Sequence, residues 1–290
     1  MLVRLVLALA LLASSTQSLA AETQYVGSTL WTSDHPLHGG YSGLEVNADG
    51  SSFTAISDHG SIAKGTFIRN EAGIIQSVTD EQRHALKGVN SDSIPHYDRD
   101  AEGLAIAPNG QIFISFEGIH KILRYPTDKS RAKDMKQHPA FESLQRNSSL
   151  EALAITDQGH ILVVPERSGG EMTPFPVYRF DGSNWDAPYT IPRSANYLPV
   201  GMDVGPDGKL YLLERWFRGI GFSSRVRRFE FAASGLINET ILLDSSLGAH
   251  DNLEGLAVWH DGADIRLTMV SDNNFKVFQV TEFVEYRVTD

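Results

Sequence analysis

Cysteine is absent from this 290-residue chain, which excludes disulfides, thiolate metal sites and cysteine nucleophiles. Positive charge is scarce: 25 Lys and Arg stand against 36 Asp and Glu, for a net charge of −11. Nucleic-acid binding relies on basic surface, so nucleic acid is excluded as a partner. No segment carries a 3.6-residue apolar stripe over the length of a helix. There is neither a GxSxG elbow nor a GxxxxGK[ST] phosphate loop. Hydrophobic residues at 41% suffice for a sizeable core, and charged residues at 21% do not fit a disordered chain. The acidic excess itself fits cation binding or plain solubility.

Long apolar runs are confined to the N-terminus. MLVRLVLALALLASSTQSLA places one Arg before an apolar run over residues 5–13, then small residues at Ser18-Leu19-Ala20-Ala21. That is the layout of a secretory signal peptide covering residues 1–21, and the run is too short to span a bilayer permanently. The expectation is a mature single domain over residues 22–290 without a membrane anchor, monomeric, and periplasmic or secreted.

What is present is a repeat. SGLEVNADG from Ser42, EGLAIAPNG from Glu102, EALAITDQG from Glu151, VGMDVGPDG from Val200 and EGLAVWHDG from Glu254 align without gaps, at spacings of 60, 49, 49 and 54 residues. Each ends in a glycine turn and is followed by another β-rich run (FTAISD, IFISFE, ILVVPE, LYLLER, RLTMVSD), which is a hairpin signature. Units of about 50 residues with three or four short strands predict the blades of an all-β propeller. The count predicts five blades, or six if one has lost its signature. Residues 25–31 (YVGSTLW) form a spare strand before the first copy, and the last copy ends one strand short. The N-terminal strand is therefore expected to close the ring. Residues 128–144 are charged and predict a surface excursion with about one helical turn.

Packing explains the apolar positions of the repeat but not its acids. Glu102 and Glu117, like Glu151 and Glu166, bracket a hairpin symmetrically, and Glu254 pairs similarly with Asp272. Folding at the glycines brings such pairs to the end away from the turn. Copies one and four have Ser42 and Val200 instead, but carry Glu45 and Asp203 three positions later and end in Asp58 and Glu214. Blades around a common axis would gather these carboxylates at one mouth, where each raises the others' pKa unless a cation neutralises them. An all-oxygen set favours a hard cation such as Ca²⁺. The candidate metal ligands are Glu102, Glu151, Glu254 and Asp272, then Asp58, Glu166 and Glu214. The opposing reading is that each acid caps backbone donors or pairs with an Arg. Arg167 and Arg215, each next to an acid, are candidate contacts for an anionic, phosphorylated substrate, or surface ion pairs. Adjacent strand residues face opposite ways, so an acid and its neighbouring Arg cannot both face the axis unless the strand ends there. His35, His38 and His59 are weaker metal candidates.

At these residues the chain resembles a known family, the phytase-like domains with esterase-like activity of phytase. The likeness is an ordered series: SGL with ISDHG, EGLAIAPNG, LEALAIT with VVPER, MDVGPDGKLYLLERWF, RVRRF, DNLEGLAVW and VSDNNFKVFQVTEF. It spans residues 41–286, and SDNNF followed by Q-x-T is its most specific part. The resemblance implies an exported propeller with hydrolase activity on esters or phosphoesters. Propeller phytases, more distant, hold calcium with acids at the tunnel mouth. Lactonases of the gluconolactonase type hold one metal with Glu, Asn and Asp, for which Glu254, Asn273 and Asp272 would be the counterparts. A non-catalytic ligand-binding propeller with structural acids is the competing expectation.

Overall fold

The repeated hairpins form, and each grows into one blade of a five-bladed propeller. The computed structural model describes residues 22–145 and 148–289; the expected signal peptide lies outside them. Strand β1 (Glu22–Leu30) precedes the first repeat. Blade 1 is β2 (Tyr41–Val46), β3 (Ser52–Ser57), β4 (Ser61–Arg69) and β5 (Ile75–Ala85); blade 2 is β6 (Ala101–Ile106), β7 (Ile112–Phe116) and β8 (Lys121–Tyr125). Blade 3 is β9 (Leu150–Ile155), β10 (Ile161–Pro165), β11 (Phe175–Phe180) and β12 (Trp185–Ile191). Blade 4 is β13 (Leu198–Val204), β14 (Leu210–Phe217), β15 (Phe222–Ala232) and β16 (Gly235–Asp244). Blade 5 is β17 (Asn252–His260), β18 (Ile265–Asp272) and β19 (Glu282–Thr289), completed by β1. The ring therefore closes through its N-terminal strand, with five blades rather than six.

Among the described residues blade 2 has three strands and no fourth. Residues 126–149 have charge in place of period-two alternation. They make two isolated bridges, Arg131 with Lys87 and Lys133 with Arg124, then a 3₁₀ turn over Pro139–Ser143 whose Phe141 is buried.

The inner strands β2, β6, β9, β13 and β17 contact one another around the axis. Each carries a β-bulge at its start: Ser42, Glu102, Glu151, Val200 and Glu254 are passed over in the pairing with the second strand. A bulged residue is left out of the ladder and re-aims its side chain. The first position of the repeat is thus released from the sheet at every blade.

The small second position has a separate cause. A Cβ on Gly103 would lie 2.4 Å from the Glu151 carbonyl oxygen, and one on Gly201 would lie 2.4 Å from that of Glu254. Only glycine admits the neighbouring strand's backbone so closely. The third position (Leu44, Leu104, Leu153, Met202, Leu256) points back into the core shared with the preceding blade, and five such apolar clusters fill the five blade interfaces. Among the described residues no helix is long and apolar enough to cross a membrane.

Closure is locked by Trp31, which follows β1. Its ring stacks on Tyr41 at 4.4 Å and on Phe283 at 5.0 Å, and its backbone N–H donates to the Thr281 carbonyl at 2.9 Å. Trp31 thus joins the first strand, blade 1 and blade 5 in one core. Truncating it leaves a cavity, and Trp31→Ala should cost about 3–5 kcal/mol, a fall in melting temperature of roughly 6–15 °C for a chain this long. A chain beginning at Ser33 should aggregate, since β19 becomes an unpaired edge; unchanged melting of either variant would refute closure as the stabilising element.

Candidate metal and anion site

Asp100 immediately precedes β6 and Glu102 is the residue released by its bulge, and the two turn their carboxyls toward the mouth together. Glu117 ends the returning strand, and its backbone N–H donates to the Asp100 carbonyl at 2.9 Å. The three acids bring one carboxylate oxygen each within 4.8 Å of one another. Glu151, on the next inner strand, is buried, and the charge of Glu117 bears on it. Among the described residues no Lys or Arg forms an ion pair with Asp100, Glu102, Glu117 or Glu151.

The other half of the mouth is already neutralised. Arg215 pairs with Glu254, donates to the Asn252 side-chain oxygen at 2.9 Å and lies 3.6 Å from Glu166. Asn252 also donates to Glu254 at 2.8 Å, and its contact with Asp272 is longer, at 3.4 Å. Burial alone would lower the Arg215 pKa; Glu254, Glu151, Glu166 and Glu102 together override it and hold the guanidinium charged.

The acids feel the crowding. Burial, reinforced by Glu151 and Asp100, pushes Glu102 well above the carboxylate range; burial with Glu166 and Glu117 does the same to Glu151. Burial and then Asp100 raise Glu117 to about 7. Asp58 reaches about 7 through burial, Glu254 and Asp100. Asp272 also reaches about 7, through burial and the charge of Asp58, despite a hydrogen bond from the Asn274 N–H. Glu254 rises to about 8 by burial, which outweighs the opposing Arg215. The mouth cannot hold all these charges unaided.

The structure thus brings together Glu102, Glu151, Glu254, Asp272, Asp58 and Glu166. It does not bring Glu214, whose two oxygens accept from Arg227 at 2.8 and 2.5 Å in a fully buried pair between strands of blade 4. Strand parity explains it: Arg215 faces the mouth, so its neighbour Glu214 faces away. At Glu166 the parity is reversed, and Arg167 is the outward residue, half-exposed, with Nε on Ser148 Oγ at 3.0 Å. Asn273 caps a turn, its side-chain oxygen accepting from the Gly40 and Phe275 N–H groups at 3.0 and 3.1 Å. The histidines have other roles: His38 bonds the Trp31 carbonyl at 2.8 Å, His35 accepts from the Leu37 N–H, and His59 stacks on Phe275 at 3.9 Å.

The expected ligand set omitted Asp100, although its place two residues before Glu102 was the available signal. Glu117 was visible as half of a hairpin pair but not ranked among the ligands. Glu45 and Asp203 serve backbone: Glu45 accepts from the Ile106 N–H at 2.9 Å and Asp203 from the Val258 N–H at 2.6 Å, each in the following blade. A separate groove of about 600 Å³ runs between the hairpin turns of blades 2 and 3 on the opposite face, lined by Pro108, Asp134, Asp157 and Phe180. It contains none of the acids of the mouth.

Comparison with known proteins comes from sequence and from shape. The family described as phytase-like, esterase-like activity of phytase, matches residues 36–275. No curated protein sequence matches. Among solved structures, the PQQ-bound aldose sugar dehydrogenase of Streptomyces coelicolor superposes with a TM-score of 0.52 at 13% identity, covering 93% of this chain and 98% of that one. A gluconolactonase of Xanthomonas campestris gives 0.46 at 15% identity, over 86% and 72% of the two chains. Regucalcin of Agrobacterium tumefaciens, a calcium-binding protein, gives 0.47 at 9%, over 86% and 90%. At these identities the dehydrogenase speaks for the propeller fold alone, and the other two likenesses are weaker.

The raised carboxyls make stability pH-dependent. Between the unfolded value near 4 and folded values of about 7 to 8, the native chain holds protons that the unfolded chain has released. Metal-free stability therefore falls as pH rises from about 5 to about 8 and flattens above. In EDTA the chain should melt higher at about pH 5.5 than at about pH 8; a flat or rising profile would show that the mouth is already compensated.

Proposed function

The chain belongs to the phytase-like family of esterase-like activity of phytase, and from that premise we propose that it is a metal-dependent hydrolase of phosphoesters or related esters. In this reading it is exported to the periplasm or secreted and acts as a monomer on a small anionic substrate. One observation carries the proposal: Asp100, Glu102 and Glu117 converge within 4.8 Å while the resident Arg215 is committed to the other side.

These residues fit calcium. Ca²⁺ takes six to eight oxygens at about 2.4 Å, so two of its ligands lie up to about 4.8 Å apart. Asp100, Glu102 and Glu117 would hold it, with Glu151 adjacent. When bound, the ion would neutralise the substrate's anionic group and acidify a coordinated water. Arg167 is the better anion contact of the two arginines, because it is half-exposed and its guanidinium can address two oxygens at once. Arg215 instead keeps Glu254 and Glu166 from competing for the cation. Asn273 is committed to its turn and Glu254 to Arg215, which leaves the lactonase-like set without free ligands other than Asp272.

Calcium at a hundredfold excess over its Kd should stabilise the native chain by about 2.7 kcal/mol, and magnesium less, since it resists dehydration. Glu102→Gln should remove most of that shift while leaving the metal-free form as stable or slightly more so. Glu254→Gln should retain most of the shift but lower metal-free stability by about 3 kcal/mol, because it strands Arg215. The activity arm is a phosphoester and ester panel with calcium and then EDTA. Hydrolysis that appears with calcium and disappears with chelator supports the enzyme; an intact thermal shift without turnover on any substrate leaves a calcium-binding propeller and sinks the hydrolase.

A further inference from the structure

The fourth residue of each repeat leads, across its blade, to one position on the third strand. The strand registers place Lys64, Arg124, Arg179 and Arg228 there in blades 1 to 4, and Glu285 in blade 5. Four of the five have a partner among the described residues. Lys64 meets Asp128 at 3.0 Å, and Glu285 accepts from Arg69 at 2.7 and 2.9 Å. Arg179 forks onto Asp186, Nε donating to Oδ1 at 3.0 Å and Nη2 to Oδ2 at 2.5 Å; Arg228 is also engaged. Arg124 is the exception. Its Nε is buried and has no hydrogen-bond partner, and the acids of the adjacent excursion lie against other cations, Asp128 against Lys64 and Asp134 against Lys121 at 3.6 Å.

The cause lies in what stands beside the third strand. In blade 3 the residue paired with Arg179 on β12 is Asp186; in blade 2 the residue bridged to Arg124 is the exposed Lys133. Residues directly opposite on antiparallel strands share a face, and like charges placed so are destabilising. Blade 2 thus sets two cations side by side where blade 3 has an ion pair. A buried donor without a partner calls for an explanation, and a bound anion supplies one. Arg124 also lines the groove of about 600 Å³ between blades 2 and 3, whose apolar walls include Phe113, Met135, Ile155 and Phe180. Small-molecule sites span roughly 300–1,000 Å³. The acids of the groove, Asp134 and Asp157, are exposed at its rim.

We propose that this groove binds a small monocarboxylate with an apolar body, the carboxylate on Arg124 with Lys133 adjoining and the body against Phe113, Ile155 and Phe180. A guanidinium is a planar fork that meets both oxygens of a carboxylate at once. The acids at the rim disfavour ligands of higher negative charge, inorganic phosphate among them. The groove opens on the face opposite the acidic mouth. The proposal is therefore independent of the hydrolase reading, and its test does not use activity.

The experiment is titration calorimetry of the purified chain, in EDTA, with phenylacetate, 2-naphthylacetate and octanoate, and with the amide of each. At least one carboxylate should bind, about tenfold or more tighter than its amide, and the difference should shrink as salt rises. Arg124→Met keeps an apolar stem and should lower that affinity by about tenfold or more. Its melting temperature should not fall, since the change removes an unpaired buried donor. Lys133→Asp gives blade 2 the acid that blade 3 has at Asp186, so Arg124 gains a partner within the chain. Its melting temperature should rise while carboxylate binding is lost. Three results would overturn the proposal. One is the absence of binding by every carboxylate; another is equal binding of acids and amides, which would make the groove merely apolar. The third is binding that survives Arg124→Met or Lys133→Asp, which would place the carboxylate elsewhere.

Discussion

Five inner strands converge on one axis, and everything distinctive about this molecule follows from how close they come. Backbone meets backbone there, so the second residue of each repeat is glycine or alanine. Gly103 and Gly201 face carbonyl oxygens of the next blade at distances no Cβ could share. The third residue turns back into an interblade core. The first cannot stay in the ladder at all and becomes the extra residue of a bulge in every blade. Released from pairing, it is the natural place for a functional side chain, and three of the five blades put glutamate there.

Crowding carboxylates around an axis costs free energy, and the chain meets that cost in three ways. Arg215 supplies a fixed cation for Glu254 and Glu166. Glu45 and Asp203 are turned against backbone N–H groups of neighbouring blades and so act as hydrogen-bond acceptors between blades. Glu102 has neither remedy and Glu117 only a long hydrogen bond from the Ser149 N–H at 3.3 Å, and burial with the neighbouring charges raises the pKa of both. A buried acid without a fixed partner is poised for an exchangeable one, and a divalent cation displaces protons more effectively than water does. Within one ring, structural and ligand-binding acids are separated by what faces them, not by the residue type.

Much was legible beforehand because it is local. The glycine turns, the period-two alternation and the spare strand at residues 25–31 each express a preference of a few consecutive residues, and a 50-residue repeat of hairpins has few ways to bury its faces. Blade number and closure by β1 follow from them. The presence of acids at the free end of each hairpin follows as well, since a hairpin fixes which residues share an end.

Which acids share a site was decided only by the tertiary structure. Glu166 lies seven residues after its turn glycine and Glu214 six, and one meets Arg215 while the other is sealed against Arg227. That one-residue difference in distance from the turn turns the two carboxyls to opposite faces. Arg215 and Glu254 are 39 positions apart and belong to different blades, so no pattern within either repeat announces their pairing. Sequence alone determined the hairpins, the blades and the end of each hairpin that carries charge, because those depend on short-range backbone preference. The closing of the ring decided which charges meet, because electrostatic partners are chosen across blades, by distance.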